Sequence, residues 1–301
     1  MNNFSETFIS LIRDIERKGS ISQPRDLKVK ELIYGQIDVD STRPIANFED
    51  RKFNFKYFAG ELAWYLQKDT NIDYINKFSN FWKNITNPGT NEINSNYGAL
   101  LFNDQLAWCL DSLKKDKNTR QAIAFLNQPK YQFEGNKDFV CTMYLNFFIR
   151  DNKLNMKVQM RSNDIFYGLT FDAPFFAFVH QHMYLWLKEE AYTNLELGTY
   201  THFADNIHFY QHHFELADKI KSNGSAPIQY EMILKKPLFY YHQHVNNKLE
   251  QVTCVKGLDF IKNVNTLVES DATQEQYREL LSEYLNIKVY GKHTNSQSQA
   301  I

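Results

Sequence analysis

Cys141 and Arg161 stand 20 residues apart, Cys141 near the start and Arg161 just past the end of the run FVCTMYLNFFIRDNKLNMKVQM (139–160), which reads as two strands joined at Asp151-Asn152, a hairpin turn signal. In such a hairpin Arg161 closes the arm opposite Cys141, so a guanidinium can lie beside the thiol. A thiolate is the reactive form of cysteine, and a neighbouring positive charge lowers the thiol pKa from about 8.5. Without such a neighbour, a free cysteine on a strand is a small buried hydrophobe. Glu61 is the next candidate, an acid inside the apolar run FNFKYFAGELAWYLQ (53–67). A buried carboxyl is costly unless it is paired or handles protons. The nine histidines include the pairs His180/His182, His212/His213 and His242/His244. Neighbours one or two apart do not converge on one point of a helix, where metal pairs sit at i, i+4. These imidazoles therefore read as surface or core-edge residues, and no metal is expected.

The elements that must position these groups follow from periodicity. Residues 53–67 read as a buried helix carrying Phe58, Leu62, Trp64, Tyr65 and Leu66 with Glu61 among them. Residues 103–116 read as an amphipathic helix, 122–126 as an apolar strand, and 173–188 as a strongly apolar helix opened by Asp172-Ala173-Pro174, a good N-cap pattern. At the N-terminus Phe4, Phe8, Ile9, Ile12 and Ile15 recur at helical spacing before Gly19, a plausible stop, and no targeting segment is visible. Strands mixed with long buried helices indicate an α+β fold. Neither a linker nor an internal repeat divides the chain, so one domain is expected over 1–301, with residues 290–301 polar and loose.

The 301 residues are 43% hydrophobic and 15% aromatic, enough for a sizeable core. Lys plus Arg total 34 against 35 acids, so the balance lacks the basic excess of a protein that coats a nucleic-acid polymer or an anionic membrane. A single nucleotide remains compatible. No stretch approaches the roughly 18 apolar residues of a membrane span, and Cys109, Cys141 and Cys254 are too scattered for a disulfide scaffold or zinc site. A cytoplasmic protein is expected. None of the 11 glycines forms GxGxxG or GxxxxGK[ST], so a bound phosphate must be held by side chains.

The segment Arg161-Ser162-Asn163-Asp164-Ile165-Phe166-Tyr167-Gly168-Leu169 resembles the signature that follows the catalytic cysteine of thymidylate synthases, and Cys141 precedes it by the family's interval. Glu92-Ile-Asn-Ser-Asn-Tyr97-Gly98, Met160-Arg-Ser-Asn-Asp164 and Cys141-Thr142 are similar to a sister branch, the bacteriophage deoxycytidylate (dCMP) hydroxymethylases. The resemblance runs from Arg25 to His213 and implies the thymidylate synthase-like fold, a large twisted mixed β-sheet flanked by helices, paired sheet to sheet in a homodimer. It implies transfer of a one-carbon unit from 5,10-methylenetetrahydrofolate, the co-substrate, to C5 of a pyrimidine nucleotide. In that reaction Cys141 adds to C6 and makes C5 nucleophilic. Arg161 both lowers the thiol pKa and binds the 5'-phosphate, joined by Ser162 and by Arg25, which precedes the strand end Ile33-Tyr34-Gly35. Arg120 matches an arginine donated across the dimer interface, where its forked head suits phosphate. The family's usual second arginine is Gln121 here. Glu61 matches the glutamate that organises proton transfers, Tyr97 a tyrosine of proton removal at C5, and His208 and Tyr210 a pair that binds the sugar hydroxyl. Asp164 matches the carboxylate that anchors the folate pterin, with Trp82 near it.

Asp172 bears on the base. Thymidylate synthases carry Asn at the matching position, which pairs with N3–H and O4 of uracil. A carboxylate instead accepts from the cytosine amino group and shares a proton with N3. Facing uracil it would meet O4 lone pair to lone pair, a mismatch of about 1–3 kcal/mol, or roughly ten- to hundredfold. The resemblance thus points to a dCMP hydroxymethylase acting in the host cytoplasm of a phage, with water completing 5-hydroxymethyl-dCMP; the polar tail His293–Ile301 favours that hydration. The alternatives are a thymidylate synthase-type methyltransferase on dUMP or dCMP, and a non-catalytic nucleotide- or RNA-binding relative.

Overall fold

In the computed structural model, helix α1 (Phe4–Lys18) opens with Asn3 accepting the Glu6 N–H at 2.9 Å, and it buries Phe8, Ile12 and Ile15 completely. The structure describes residues 3–245, 248–253 and 255–290, with side chains given outside 240–253. Cys254, the side chains of His242 and His244, and the tail from 291 onward lie outside the described residues. Gly19 ends α1 through an N–H bond to the Ile15 carbonyl. A Cβ there would stand 2.3 Å from the Glu31 carbonyl oxygen, so close approach of the next hairpin requires glycine. That hairpin is β1 (Ser20–Ser22) and β2 (Val29–Val39), antiparallel. Ile33-Tyr34-Gly35 is not a strand end, as the sequence reading had it. It lies in mid-β2, where Tyr34 at φ 62° interrupts the pairing with the next strand partner for one residue while the register on either side is unchanged.

Helix α2 (Phe55–Gln67) is apolar nearly all round and accordingly buried. Short helices α3 (Phe81–Ile85) and α4 (Tyr97–Leu101) lead to α5 (Gln105–Lys115), within the expected 103–116. Strand β3 (Ile123–Phe125) precedes the predicted hairpin, β4 (Thr142–Arg150) and β5 (Lys153–Met160), whose Asp151 and Asn152 take φ 47° and 60° as a two-residue turn demands. Leu145, Phe147 and Ile149 pair with Val158, Met156 and Leu154 across it and are buried, while Tyr144, Asn146 and Phe148 alternate to the outer face. After β6 (Asn163–Asp164) a π turn at Ile165–Leu169 runs into α6 (Thr170–Glu190), whose apolar body packs on the inner face of the sheet. The helix starts at Thr170 with Leu169 at its cap, so Asp172 sits in the first turn and is not the N-cap that Asp172-Ala173-Pro174 suggested.

The long strand β7 (Glu196–Tyr210) completes the sheet in the order β1-β2-β7-β5-β4-β3, with β6 also alongside β7. The β5–β7 and β6–β7 pairs are parallel and the rest antiparallel, so the sheet is mixed and the fold α+β as expected. Helix α7 (Phe214–Asn223), strand β8 (Gln229–Met232), the β9 (Phe239–Val245) and β10 (Lys248–Thr253) pair, helices α8 (Val255–Glu269) and α9 (Gln274–Leu285) and strand β11 (Ile287–Tyr290) follow. Helices α8 and α9 pack on α2, and β11 pairs with β8. His180 and His182 are core, not edge, residues. His180 sits between the Ser41 hydroxyl and the Leu154 carbonyl, each at 2.8 Å, and His182 stacks on Phe239 at 3.9 Å. Among the described residues no three His, Cys, Asp or Glu side chains converge as a metal site, and no helix is long and apolar enough to cross a membrane.

Candidate active site

The hairpin register brings Cys141 and Arg161 together at its open end, where the Arg161 N–H bonds the Cys141 carbonyl at 2.9 Å. The Arg161 guanidinium is fixed by the Phe139 and Val140 carbonyls and by the Phe139 ring at 4.9 Å, and its Nη2 reaches Cys141 Sγ at 3.4 Å. Burial pushes the thiol up, Arg161 and then Arg25 pull it back, and Asp172 and Asp138 push it further up. Asp138 holds this corner in shape by accepting the Ser95 N–H at 2.9 Å, the Asn94 N–H and the Ser95 hydroxyl.

Opposite the thiol, three elements contribute acids and phenols. Glu61 on α2 is buried and accepts the Tyr57 hydroxyl at 2.7 Å. Burial raises its pKa to about 8 against the bonds from Tyr57 and Tyr65, and the Asp172 charge raises it further. Tyr97, the first residue of α4, stacks on Tyr65 with 5.7 Å between rings, and its hydroxyl lies beside Thr142 and within the field of Asp172 and Cys141. Asp172 accepts the Asn163 side-chain N–H at 2.7 Å, and burial lifts its pKa to about 6 against that bond.

Asp164 caps the π turn. Its Oδ1 accepts the Phe166 N–H at 2.9 Å and the Tyr167 N–H, while Oδ2 is buried with no partner. Desolvation lifts this carboxyl to about 7 against those bonds and the nearby Arg51. Trp82 packs on Trp64 at 5.0 Å and borders the Tyr57 hydroxyl, which ties it to the Glu61 side of the site. His208 and Tyr210 lie at the end of β7 with rings 5.4 Å apart. Burial lowers His208 to about 4, Asn206 meets its Nδ1 at 2.9 Å, and Tyr210 feels Asp164, Arg25 and Cys141.

Arg25 is exposed at φ 50° in a one-turn 3-10 segment, yet its charge reaches Cys141 and Tyr210. Ser162 is half-buried between Arg161 and Asn163. Arg120 is exposed on the approach to β3 and is not gathered with the others within this chain. Sequence reasoning passed over Tyr57, Tyr65, Asn163, Arg51 and Asp138. The i−4 and i+4 spacing of Tyr57 and Tyr65 from Glu61 on a helix would have found the first two. Arg51 and Asp138 depend on contacts distant in sequence, and Asn163 on how the π turn folds back to Asp172.

A family model described as thymidylate synthase matches residues 6–250, starting before Arg25 and ending well beyond His213. The chain belongs to the thymidylate synthase family. It is therefore similar to folate-dependent one-carbon transferases that act at C5 of a pyrimidine nucleotide and use methylenetetrahydrofolate as co-substrate. The deoxycytidylate 5-hydroxymethyltransferase of Enterobacteria phage T2 is 30% identical over 219 residues, 67% of this chain and 89% of that one. A deoxyuridylate hydroxymethyltransferase of Bacillus phage SP01 is 25% identical over 225 residues, 68% of this chain and 57% of that one. A thymidylate synthase of Buchnera aphidicola is 26% identical over 252 residues, covering 78% and 90%.

Proposed function

We propose that this family member is a dCMP 5-hydroxymethyltransferase, working as a homodimer in the cytoplasm of a phage host. The observation that carries the reading is the carboxylate of Asp172, held by Asn163 within the field of Cys141. A carboxylate there accepts from the cytosine amino group and shares the N3 proton, and protonation at N3 makes C6 more open to attack. Cys141 is the nucleophile, with Arg161 stabilising its thiolate. Arg161, Arg25 and Ser162 hold the 5'-phosphate, and Arg120 reaches it from the partner chain. His208 and Tyr210 bind the sugar hydroxyl.

Glu61, held mostly protonated at neutral pH, passes protons at the base, while Tyr97 takes part in removing the C5 proton. The buried unpartnered Oδ2 of Asp164 is an acceptor awaiting a donor, which suits a pterin amino group, and Trp82, on the Glu61 side, borders the cofactor. When bound there, methylenetetrahydrofolate supplies the one-carbon unit. The likeness to the Enterobacteria phage T2 enzyme supports water over hydride for the last step.

A second reading exchanges the base. Asp172 at about 6 is protonated in mild acid and then offers a hydrogen to O4 of uracil, and the SP01 relative is named for dUMP. One assay tests both. The chain receives methylenetetrahydrofolate with equimolar dCMP and dUMP, and product masses are read. Hydroxymethyl-dCMP is the expected product, and hydroxymethyl-dUMP would overturn the base assignment. Methylated product with dihydrofolate would overturn the hydration step, and no product would leave a binding relative. Asp172→Asn is expected to move preference towards dUMP by ten- to hundredfold, and unchanged preference would remove Asp172 from base reading.

A further inference from the structure

Four side chains from three elements form a line that ends at Asp172. Tyr200 and His202 lie on the buried face of β7, Asn163 on β6 and Asp172 in the first turn of α6. Chemistry sets the direction of each bond. An ionised carboxylate only accepts, so Asn163 must turn its Nδ2–H to Asp172 Oδ2, 2.7 Å away. Asn163 Oδ1 then faces His202 Nε2 at 3.2 Å, which must carry the hydrogen. The bare Nδ1 of His202 accepts the Tyr200 hydroxyl at 2.8 Å. Every link donates towards Asp172. Burial drives the His202 pKa down to about 3, so the ring stays neutral and one tautomer suffices.

Gly168 in the π turn keeps the last link open. A Cβ at that position would lie 2.6 Å from Asn163 Nδ2 and 3.1 Å from Asp172 Oδ2, wedged against the hydrogen bond itself.

We propose that Asn163, oriented by His202 and Tyr200, is a positioning residue that holds Asp172 as an anion with Oδ2 engaged, leaving Oδ1 to the base. Its effect on turnover rests on the reading of Asp172 given above. Burial opposes the Asp172 charge, and that charge in turn raises the pKa values of the titratable groups that face it. These are Glu61, Tyr57 and Tyr65 from α2, Tyr97 from α4, Cys141 just before β4 and Asp164 at the end of β6. The donation from Asn163 is what favours the charged form.

Nuclear magnetic resonance on the full chain reads the relay without relying on activity. With nitrogen-15 histidine, His202 is expected as the Nε2–H tautomer. With carboxyl-labelled aspartate, and Asp172→Asn assigning the signal, the Asp172 midpoint is expected to rise by about one unit in Asn163→Ala, tenfold in the proton equilibrium. Gly168→Ala should raise it as well and serves should Asn163→Ala fold poorly. His202→Gln, which keeps a donor and an acceptor, should hold the wild-type midpoint. The acid limb of kcat/KM for dCMP should move with the midpoint. An Nδ1–H tautomer of His202, or a midpoint unmoved in both Asn163→Ala and Gly168→Ala, would overturn the proposal. A midpoint that moves in a chain that turns over dUMP alone would support the relay and overturn the cytosine reading.

Discussion

Glu61 and Cys141 are both residues whose ionisation burial opposes, and each should report that in solution. Because the folded-state pKa of Glu61 stands near 8 against an ordinary value of 4.5, the native state keeps a proton that the unfolded chain releases. Stability should therefore fall as pH rises from about 4.5 to 8, by at most about 1.4 kcal/mol per unit from this group, and level off above. Glu61→Gln is expected to flatten that part of a urea-denaturation series against pH, and an unchanged slope would show that Glu61 is not held protonated. For Cys141 the opposing charge is Arg161, at 3.4 Å. Arg161→Gln should raise the thiol pKa by about one unit and slow iodoacetamide alkylation near neutral pH roughly tenfold. Cys109, fully buried with its pKa pushed well up, should stay silent in that assay. Both Cys141 and Glu61 were legible as types in context, an Arg across a hairpin and an acid in an apolar helix. The network that tunes them was not, because Tyr97 and Asp172 arrive from distant segments.

Elements behave as their patterns suggest where one local rule dominates. The hairpin over 142–160, α1 and α2 formed where turn chemistry and periodicity placed them. Departures occur where a tertiary demand overrides a local signal. Asp172-Ala173-Pro174 has the sequence of a cap, yet the π turn after Asp164 starts the helix earlier and frees Asp172 for Asn163. Ile33-Tyr34-Gly35 has the look of a strand end, but β7 is long enough to pair on both sides of Tyr34 in one unbroken register. Gly98 shows how tightly two site elements are joined. A Cβ on it would stand 1.8 Å from the Tyr65 carbonyl oxygen, so α4 meets α2 only through glycine. Gly98→Ala should destabilise the chain by about 1–3 kcal/mol in urea unfolding and also lower turnover, since Tyr97 is its neighbour. Loss of stability without loss of turnover would place Tyr97 outside the chemistry.

At the scale of the molecule, the outer face of the sheet carries apolar side chains that no described segment covers: Tyr34 is 71% and Phe125 52% exposed, and Lys157 lies over the rings of Tyr144 and Phe203. The proposed homodimer would set a second copy on that face, with exposed Arg120 reaching the phosphate of the partner chain. If so, Arg120→Ala and Cys141→Ser chains, each inactive, should together recover about a quarter of wild-type activity once mixed and reassociated, because each mixed dimer rebuilds one complete site. No recovery would confine Arg120 to its own chain. The sequence by itself determined the α+β class, the hairpin, the buried acid-bearing helix and, through short strings of residues, the family, because these depend on neighbours close along the chain. Only the tertiary structure decided which oxygen of Asp172 is engaged, which groups the two His202 nitrogens face and how far burial shifts Glu61. Those depend on the distances and desolvation that arise when β6, β7, α2 and α6 close around one point.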